Sequence, residues 1–353
     1  MTDIGQAIVG RKIRFALVGC GRIARNHFAS IKKYSDVAEL VGICDIDPNA
    51  LSVATTETGA KPFAKMSEMI AELDIDIVVL TTPSGLHAQQ TLELARAGKH
   101  VITEKPMATN WVDGLKMVKG CEQAGVHLFV VKQNRLNATM QLLKKAIDSG
   151  RFGRIYMANI NVFWTRPQGY YDSAAWRGTR ELDGGAFMNQ ASHYIDLLNW
   201  LIGPIESLHA YCETLQRDIE VEDTGVISVK WVSGALGSVN VTMLTYPKNF
   251  EGSISILGEK GTVRVGGVAV NDIQHWEFVD KHAHDDLVRE ASYDTSSVYG
   301  FGHPAYYKNV IEVLQGTAKP QTDGKDGLKS LEVLIAAYMS SKEGRRITLP
   351  LPQ

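Results

Sequence analysis

The sequence predicts an α/β chain in two parts. An N-terminal, doubly wound parallel sheet is followed by an α+β domain built on a large, mostly antiparallel sheet. Three observations predict it. Short apolar runs alternate with helical periodicity over the first 130 residues. A strand, a glycine turn, a helix and a second strand ending in an acid occupy residues 13 to 45. After residue 135, long strand-like runs follow one another across tight turns.

The first element, residues 13–18, reads as a buried strand. The turn behind it is Gly19-Cys20-Gly21-Arg22-Ile23-Ala24. Gly19 permits a tight turn, Gly21 lets the backbone approach a pyrophosphate, and Ala24 lets the following helix pack on the strand. The helix N-terminus then offers unpaired N–H groups to phosphate. The second strand, 40–44, runs into Asp45, 24 residues beyond Gly21. A carboxylate there accepts both ribose hydroxyls of an adenosine and repels a 2′-phosphate. The unit is thus the Rossmann fingerprint, with NAD favoured over NADP.

The alternation continues with a strand at 75–80, a helix at 85–97 ended by Gly98, and a strand at 100–103. A helix at 111–125 and a strand at 127–131 close the first domain, placed at 1–130. The second domain, 131–353, opens with a helix at 138–148. Strand-like runs follow at 154–165, 205–215, 224–232, 236–244, 253–257 and 262–265. Turns at Ser233-Gly234 and Glu259-Lys260-Gly261 predict antiparallel hairpins. One amphipathic helix, 185–202, lies between the first two runs, and helices near 303–315 and 326–342 end the chain. A large sheet with helices on one side leaves an apolar face to cover, so this domain is expected to form a homo-oligomer.

Chemistry concentrates in three places. Glu104-Lys105-Pro106 follows a strand at the carboxyl edge of an open sheet, where ligands bind; Lys105 there can stabilise an alkoxide. Asn189 and His193 are four apart on the helix 185–202, and a neutral His is a natural proton acceptor near pH 7. The run Trp164-Thr165-Arg166-Pro167-Gln168-Gly169-Tyr170-Tyr171, with Trp176-Arg177-Gly178, is rich in rings and guanidinium forks. Such groups suit a sugar, a base, a carboxylate or a phosphate, or else pack an interface. His282-Ala283-His284-Asp285-Asp286 reads as a solvated loop, not a metal site.

Composition bounds the rest. The 353 residues are 44% hydrophobic, and Lys+Arg 37 against Asp+Glu 39 gives net −2. No bulk field attracts nucleic acid or anionic membrane, and no apolar run reaches the length of a bilayer span. Cys20, Cys44, Cys121 and Cys212 lack metal or disulfide spacing, and Met1-Thr2-Asp3-Ile4-Gly5 lacks the pattern of a secretory signal. A cytoplasmic protein with reduced thiols is expected.

These motifs resemble the Gfo/Idh/MocA family of oxidoreductases over essentially the whole chain. The resemblance rests on Val18 to Ala24, Thr82-Pro83-Ser84-Gly85-Leu86-His87, Glu104-Lys105-Pro106, the helix with Asn189 and His193, and the tail from Ala337 to Pro350. It implies that Gly19, Gly21, Arg22, Ile23 and Ala24 hold the pyrophosphate and Asp45 the ribose of NAD. It implies that Thr82, Pro83, Ser84, His87, Glu104, Lys105 and Gln133 complete the cofactor site. Lys105, His193 and Asn189 become the catalytic residues; relatives often carry Asp at the position of Asn189. Arg135, Arg166, Tyr170, Trp176, Arg177, Gln190 and His193 become the substrate residues. Within the family the chain is most similar to enzymes that oxidise the 3-hydroxyl of UDP-N-acetyl-2-amino-2-deoxyglucuronate for surface polysaccharide (O-antigen) synthesis. The implied partners are this nucleotide-sugar and further copies of the chain, as a tetramer or dimer. The rival readings are an inositol or free-sugar dehydrogenase and a non-catalytic NAD-binding sugar sensor.

Overall fold

The computed structural model describes residues 7–295, 298 and 300–352; the N-terminal stretch Met1–Gly5 read above lies outside them. The chain forms two compact units: residues 1–132 with 303–328, and residues 133–302 with 329–353.

The first unit is a six-stranded sheet in the order β3-β2-β1-β4-β5-β6. Its strands are β1 Ile13–Val18, β2 Ala38–Cys44, β3 Lys61–Phe63, β4 Ile77–Leu80, β5 His100–Thr103 and β6 Leu128–Val130. All neighbours run parallel. The central strands are apolar on both faces because helices cover both; Phe15, Ala16, Leu17, Val78 and Val79 are fully buried. Those helices are α1 Ala24–Lys33, α2 Pro48–Thr58, α3 Met66–Glu72, α4 His87–Arg96 and α5 Trp111–Ala124. The sequence reading did not place α2, α3 or β3. In α2 only Ala54 is buried, so it carries almost no apolar stripe. Its boundaries are set by local chemistry instead: Asp47 accepts the Asn49 N–H, Pro48 starts the helix, and Gly59 ends it at φ 70°.

Residues 303–328, expected in the second domain, pack with this unit. The helix His303–Leu314 sets Tyr307 against Phe15, ring centroids 5.7 Å apart, and Tyr34 donates to Pro304 O at 2.9 Å.

The second unit is an eight-stranded sheet in the order β13-β12-β11-β7-β10-β9-β8-β14. The strands are β7 Ile155–Phe163, β8 Ile205–Glu213, β9 Thr224–Trp231, β10 Leu236–Thr242, β11 Glu251–Gly258, β12 Gly261–Gly266, β13 Asp272–Phe278 and β14 Ile347–Thr348. The two expected hairpins, β9–β10 and β11–β12, are antiparallel. The β7–β10 pair is parallel. The unit's helices include α6 Ala138–Asp148, the short α7 Gln168–Asp172 and α8 Ser192–Ile202.

The open face of this sheet differs from expectation. Met157, Leu236 and Leu257 lie in one cross-strand row and are exposed, but the rows beside them are Asn159, Ser238 and Ser255, then Asn161, Asn240 and Ser253. Asn159 accepts from Ser238, Asn240 donates to Asn161, and Arg264 reaches Glu251 at 2.6 Å. Across β7, β10 and β11 the face is a ladder of amides and hydroxyls beside an exposed apolar row, and it continues onto exposed Val226 of β9 and Tyr211 of β8. Among the described residues no helix is long and apolar enough to cross a membrane.

Candidate active site

In the first unit, candidate residues gather at the carboxyl ends of β1, β2, β4 and β5. Gly19 sits at φ 98°, and a Cβ there would come within 2.8 Å of the Thr81–Thr82 backbone, so only glycine fits. A Cβ at Gly21 would meet nothing within 4 Å. No contact among the described residues requires that glycine, and the open space leaves room for a ligand to back onto the turn. The N-terminus of α1 has no side-chain cap and no acid in its first turn. It therefore fits a pyrophosphate. Asp45 accepts the Cys20 N–H at 2.6 Å on one oxygen and the Asp47 N–H at 2.8 Å on the other. These bonds lock the half-buried carboxylate across the turn, where a ribose diol fits.

Thr82, Pro83 and Ser84 form the half-buried loop after β4, and Thr82 donates to Gln90 at 2.6 Å. His87 is buried and bridges the carbonyls of Thr82, at 2.9 Å, and Pro106, at 3.1 Å. Burial pushes its pKa down, against the pull of those carbonyls. It pins the loops after β4 and β5 together. Glu104 is also buried. Its Oε1 accepts from His27 at 3.1 Å, its Oε2 accepts the Lys105 N–H at 3.0 Å, and His27 in turn meets Tyr307 Oη at 2.8 Å. Burial alone would raise the Glu104 pKa, but the His27 bond and neighbouring His303 hold it well below the carboxylate range. The ligand atoms of His27, Glu104 and His303 lie within 4.8 Å of one another, close enough for one ion. The hydrogen bonds from His27 and from the Lys105 N–H to Glu104 also fix the turn that carries half-buried Lys105. Sequence reasoning missed His27, His303 and Tyr307; 77 residues separate His27 from Glu104 and 280 separate it from Tyr307, so no local pattern links them.

In the second unit the expected continuous helix 185–202 is two pieces. Residues Ala186–Gln190 form a π-helical turn, and α8 begins at Ser192. Gly185, at φ 92°, starts the turn. A Cβ there would stand 2.1 Å from Glu222 Oε2, so the glycine makes room for a buried carboxylate. Glu222 accepts the Phe187 N–H at 2.8 Å and lies 2.9 Å from Tyr338 Oη. Tyr338 also bonds Gly184 O and accepts the Met188 N–H at 3.3 Å. A phenol has one proton for two acceptors. If Glu222 is protonated it donates to Tyr338, Tyr338 donates to Gly184 O, and every group is satisfied. Burial points the same way, pushing the Glu222 pKa up to about 7.

Asn189, in the π turn, donates its amide to Asp183. His193, on α8, stands 3.0 Å from the Gln133 amide nitrogen. Gln133, expected at the cofactor, thus orients the ring. Gln190 is buried, and among the described residues neither atom of its amide has a hydrogen-bond partner. Arg135, expected to bind substrate, is paired with Asp196. Its Nε and Nη2 both donate to Asp196 at 2.7 Å, and the pair is buried, tying residues 133–136 to α8.

The remaining substrate candidates do come together. Arg177 donates to Tyr170 Oη at 2.6 Å, with its guanidinium 4.3 Å from the Tyr170 ring and 4.5 Å from the Trp176 ring. Arg166 lies 5.4 Å from the Tyr170 ring and donates to Thr165 O. Both are half-buried, and Arg177 Nε has no hydrogen-bond partner among the described residues. The ion pairs found among the described residues include neither arginine. The two forks are stacked, oriented and uncompensated, which suits an incoming anion. The 282–286 segment is a capped turn in which Asp285 binds Arg151 and Trp276.

The family model for the NAD-binding Rossmann fold of the Gfo/Idh/MocA oxidoreductases matches residues 13–132, and that for their C-terminal alpha/beta domain matches residues 144–349. A crystal structure of the WlbA dehydrogenase from Chromobacterium violaceum, in complex with NADH and UDP-GlcNAcA, is 66% identical. It matches over 98% of this chain and 99% of that one, with a TM-score of 0.95. The Bordetella pertussis WlbA dehydrogenase, with the same two molecules, is 64% identical over 98% of this chain and 100% of that one, with a TM-score of 0.95. Myo-inositol 2-dehydrogenase from Thermotoga maritima is 25% identical, over 96% of this chain and 98% of that protein.

Proposed function

The chain belongs to the Gfo/Idh/MocA oxidoreductase family, and on that premise we propose that it oxidises the 3-hydroxyl of a UDP-linked N-acetylated amino uronic acid to the 3-keto sugar. It is an NAD-dependent oxidoreductase acting on a sugar CH–OH group. The observation that carries the substrate reading is the pair Arg166 and Arg177, held on Tyr170 and Trp176 without a carboxylate partner. A neutral polyol would leave two partly desolvated guanidinium groups uncompensated. A uronate carboxylate or a diphosphate compensates them bidentately. The likeness to two enzymes crystallised with UDP-GlcNAcA supports the same choice.

NAD, when bound, supplies the hydride acceptor. The chain's residues do the rest. The turn 19–24 and the uncapped start of α1 hold the pyrophosphate, and Asp45 holds the ribose. His193 takes the hydroxyl proton on Nδ1, with the Gln133 amide turned so that its oxygen accepts from Nε2–H. By its family resemblance, Lys105 is the group proposed to stabilise the charge that develops in the reaction. A role in surface polysaccharide synthesis, in the cytoplasm, follows from that substrate. Assembly of copies of the chain is proposed for the open face of the eight-stranded sheet, where Met157, Leu236 and Leu257 are exposed.

The test is reduction of NAD by the protein with UDP-N-acetylglucosaminuronate, UDP-N-acetylglucosamine or myo-inositol. The uronate should be preferred, and Arg177→Ala should weaken its binding by about 2 to 3 kcal/mol. Equal use of both UDP-sugars would remove the carboxylate argument. Faster oxidation of myo-inositol would favour a polyol dehydrogenase.

A further inference from the structure

An amide side chain offers a donor at one end and an acceptor at the other, and only its surroundings decide which end faces a ligand. Asn189 is half-exposed while every other residue from Asp183 to Leu198 is buried. It is the side chain through which this stretch presents an amide outward. Behind it, buried Asp183 accepts the Gly178 N–H at 2.7 Å on Oδ2 and the Asn189 amide nitrogen on Oδ1. A carboxylate only accepts. The nitrogen of Asn189 must therefore face inward and its carbonyl oxygen outward.

We propose that Asp183 is a positioning residue that sets the polarity of Asn189, so that Asn189 acts at the reacting site as a hydrogen-bond acceptor. The donors that such an acceptor serves are ammonium, hydroxyl and acetamido N–H groups. Asp183 acts entirely through its neighbour. Its fixed place comes from the Gly178 N–H and from its own N–H bond to Thr179 O at 3.1 Å. The inference rests on the nucleotide-sugar reading only for the choice of assay substrate.

The substitution Asp183→Asn is isosteric and inverts the logic. Its oxygen keeps the Gly178 N–H, and its new amide nitrogen then faces Asn189. Asn189 must turn over and present a donor outward. The loss expected in kcat/KM with the nucleotide-sugar and NAD is about 10- to 100-fold. Asn189→Asp alone places two carboxylates in contact and also lowers activity. The exchange Asp183→Asn with Asn189→Asp rebuilds the original polarity: the new amide donates inward, and an acceptor oxygen again faces outward. It should recover activity to within about fivefold of the unaltered protein, a coupling that a merely structural role does not produce.

Each variant is checked for folding by its melting curve. The proposal is overturned if folded Asp183→Asn has unaltered kcat/KM, or if the double variant is no more active than either single one. Should Asp183→Asn fail to fold, the comparison of the double variant with Asn189→Asp decides alone. If the unaltered protein is inert on the nucleotide-sugar, the substrate reading fails. If it is active and the exchange does not rescue, only the role of Asp183 fails.

Discussion

The two units bury charge differently. In the first, the sheet interior is aliphatic and the candidate site is mostly main chain: a glycine turn, a bare helix start and short loops at strand ends. Its deeply buried carboxylate, Glu104, is matched by His27. In the second, three buried carboxylates, Asp183, Asp196 and Glu222, stand behind or beside the turn that carries Asn189 and leads to His193. Backbone amides suffice for a pyrophosphate that is the same in every NAD enzyme. Choosing one hydroxyl on one sugar takes side chains held at fixed angles, and fixing them takes buried polar partners.

Breaking the strongest of those partnerships is the severest test. Asp196→Asn leaves the Arg135 guanidinium buried without its counter-charge. It should cost about 3 to 5 kcal/mol in denaturant unfolding. A loss under about 1 kcal/mol, the range of exposed pairs, would mean that the second unit is not organised around buried charge.

Glu222 sharpens the contrast through pH. Its folded pKa, near 7, lies above the ordinary value of 4.5, so the folded chain holds a proton that the unfolded chain releases. Its contribution to stability therefore falls as pH rises through that window, by roughly 3 kcal/mol in all. Glu222→Gln stays neutral and should flatten this part of the melting temperature profile. Parallel profiles for the two proteins would show that Glu222 is ionised when folded.

In the first unit, Lys105 is the side chain proposed to act on the reacting oxygen. Lys105→Ala should lower kcat at least about a hundredfold. NAD affinity, measured by titration, should hardly change. Near-normal turnover would leave the first unit with binding alone. The smallest effect is expected at the ribose. Asp45→Ser with Ile46→Arg should move preference from NAD toward NADP, by about 1 to 2 kcal/mol in relative affinity. Tighter binding of NADP by the unaltered protein would overturn the role of Asp45.

The same contrast explains what could be read from the sequence. The Gly19–Ala24 turn and Asp45 lie within one 33-residue unit, and the hairpins β9–β10 and β11–β12 announce themselves by turn residues. Lys105 and His193 are legible as chemistry-bearing residues at an element end and on a helix face. Their supports are not. Glu222 and Tyr338 lie 35 and 154 residues from the Phe187 N–H and Gly184 carbonyl that they meet. Periodicity also misjudges the stretch 185–202, because a π turn keeps the apolar spacing of a helix while shifting the register between Asn189 and His193. Nothing near Arg135 in sequence shows that Asp196, 61 residues on, holds its fork. The open sheet face reads as apolar strand by strand; only the cross-strand register brings its asparagines and serines into one ladder.

The most direct test follows deuterium from carbon 3 of the sugar. The protein is given NAD and UDP-N-acetylglucosaminuronate carrying deuterium only at that carbon, and the reduced cofactor is examined by mass spectrometry. The account predicts NADH that has gained one deuterium per turnover, and a 3-keto sugar that has lost it. Unlabelled NADH, formed with the deuterium still on the sugar, would place the oxidation at another carbon and contradict it.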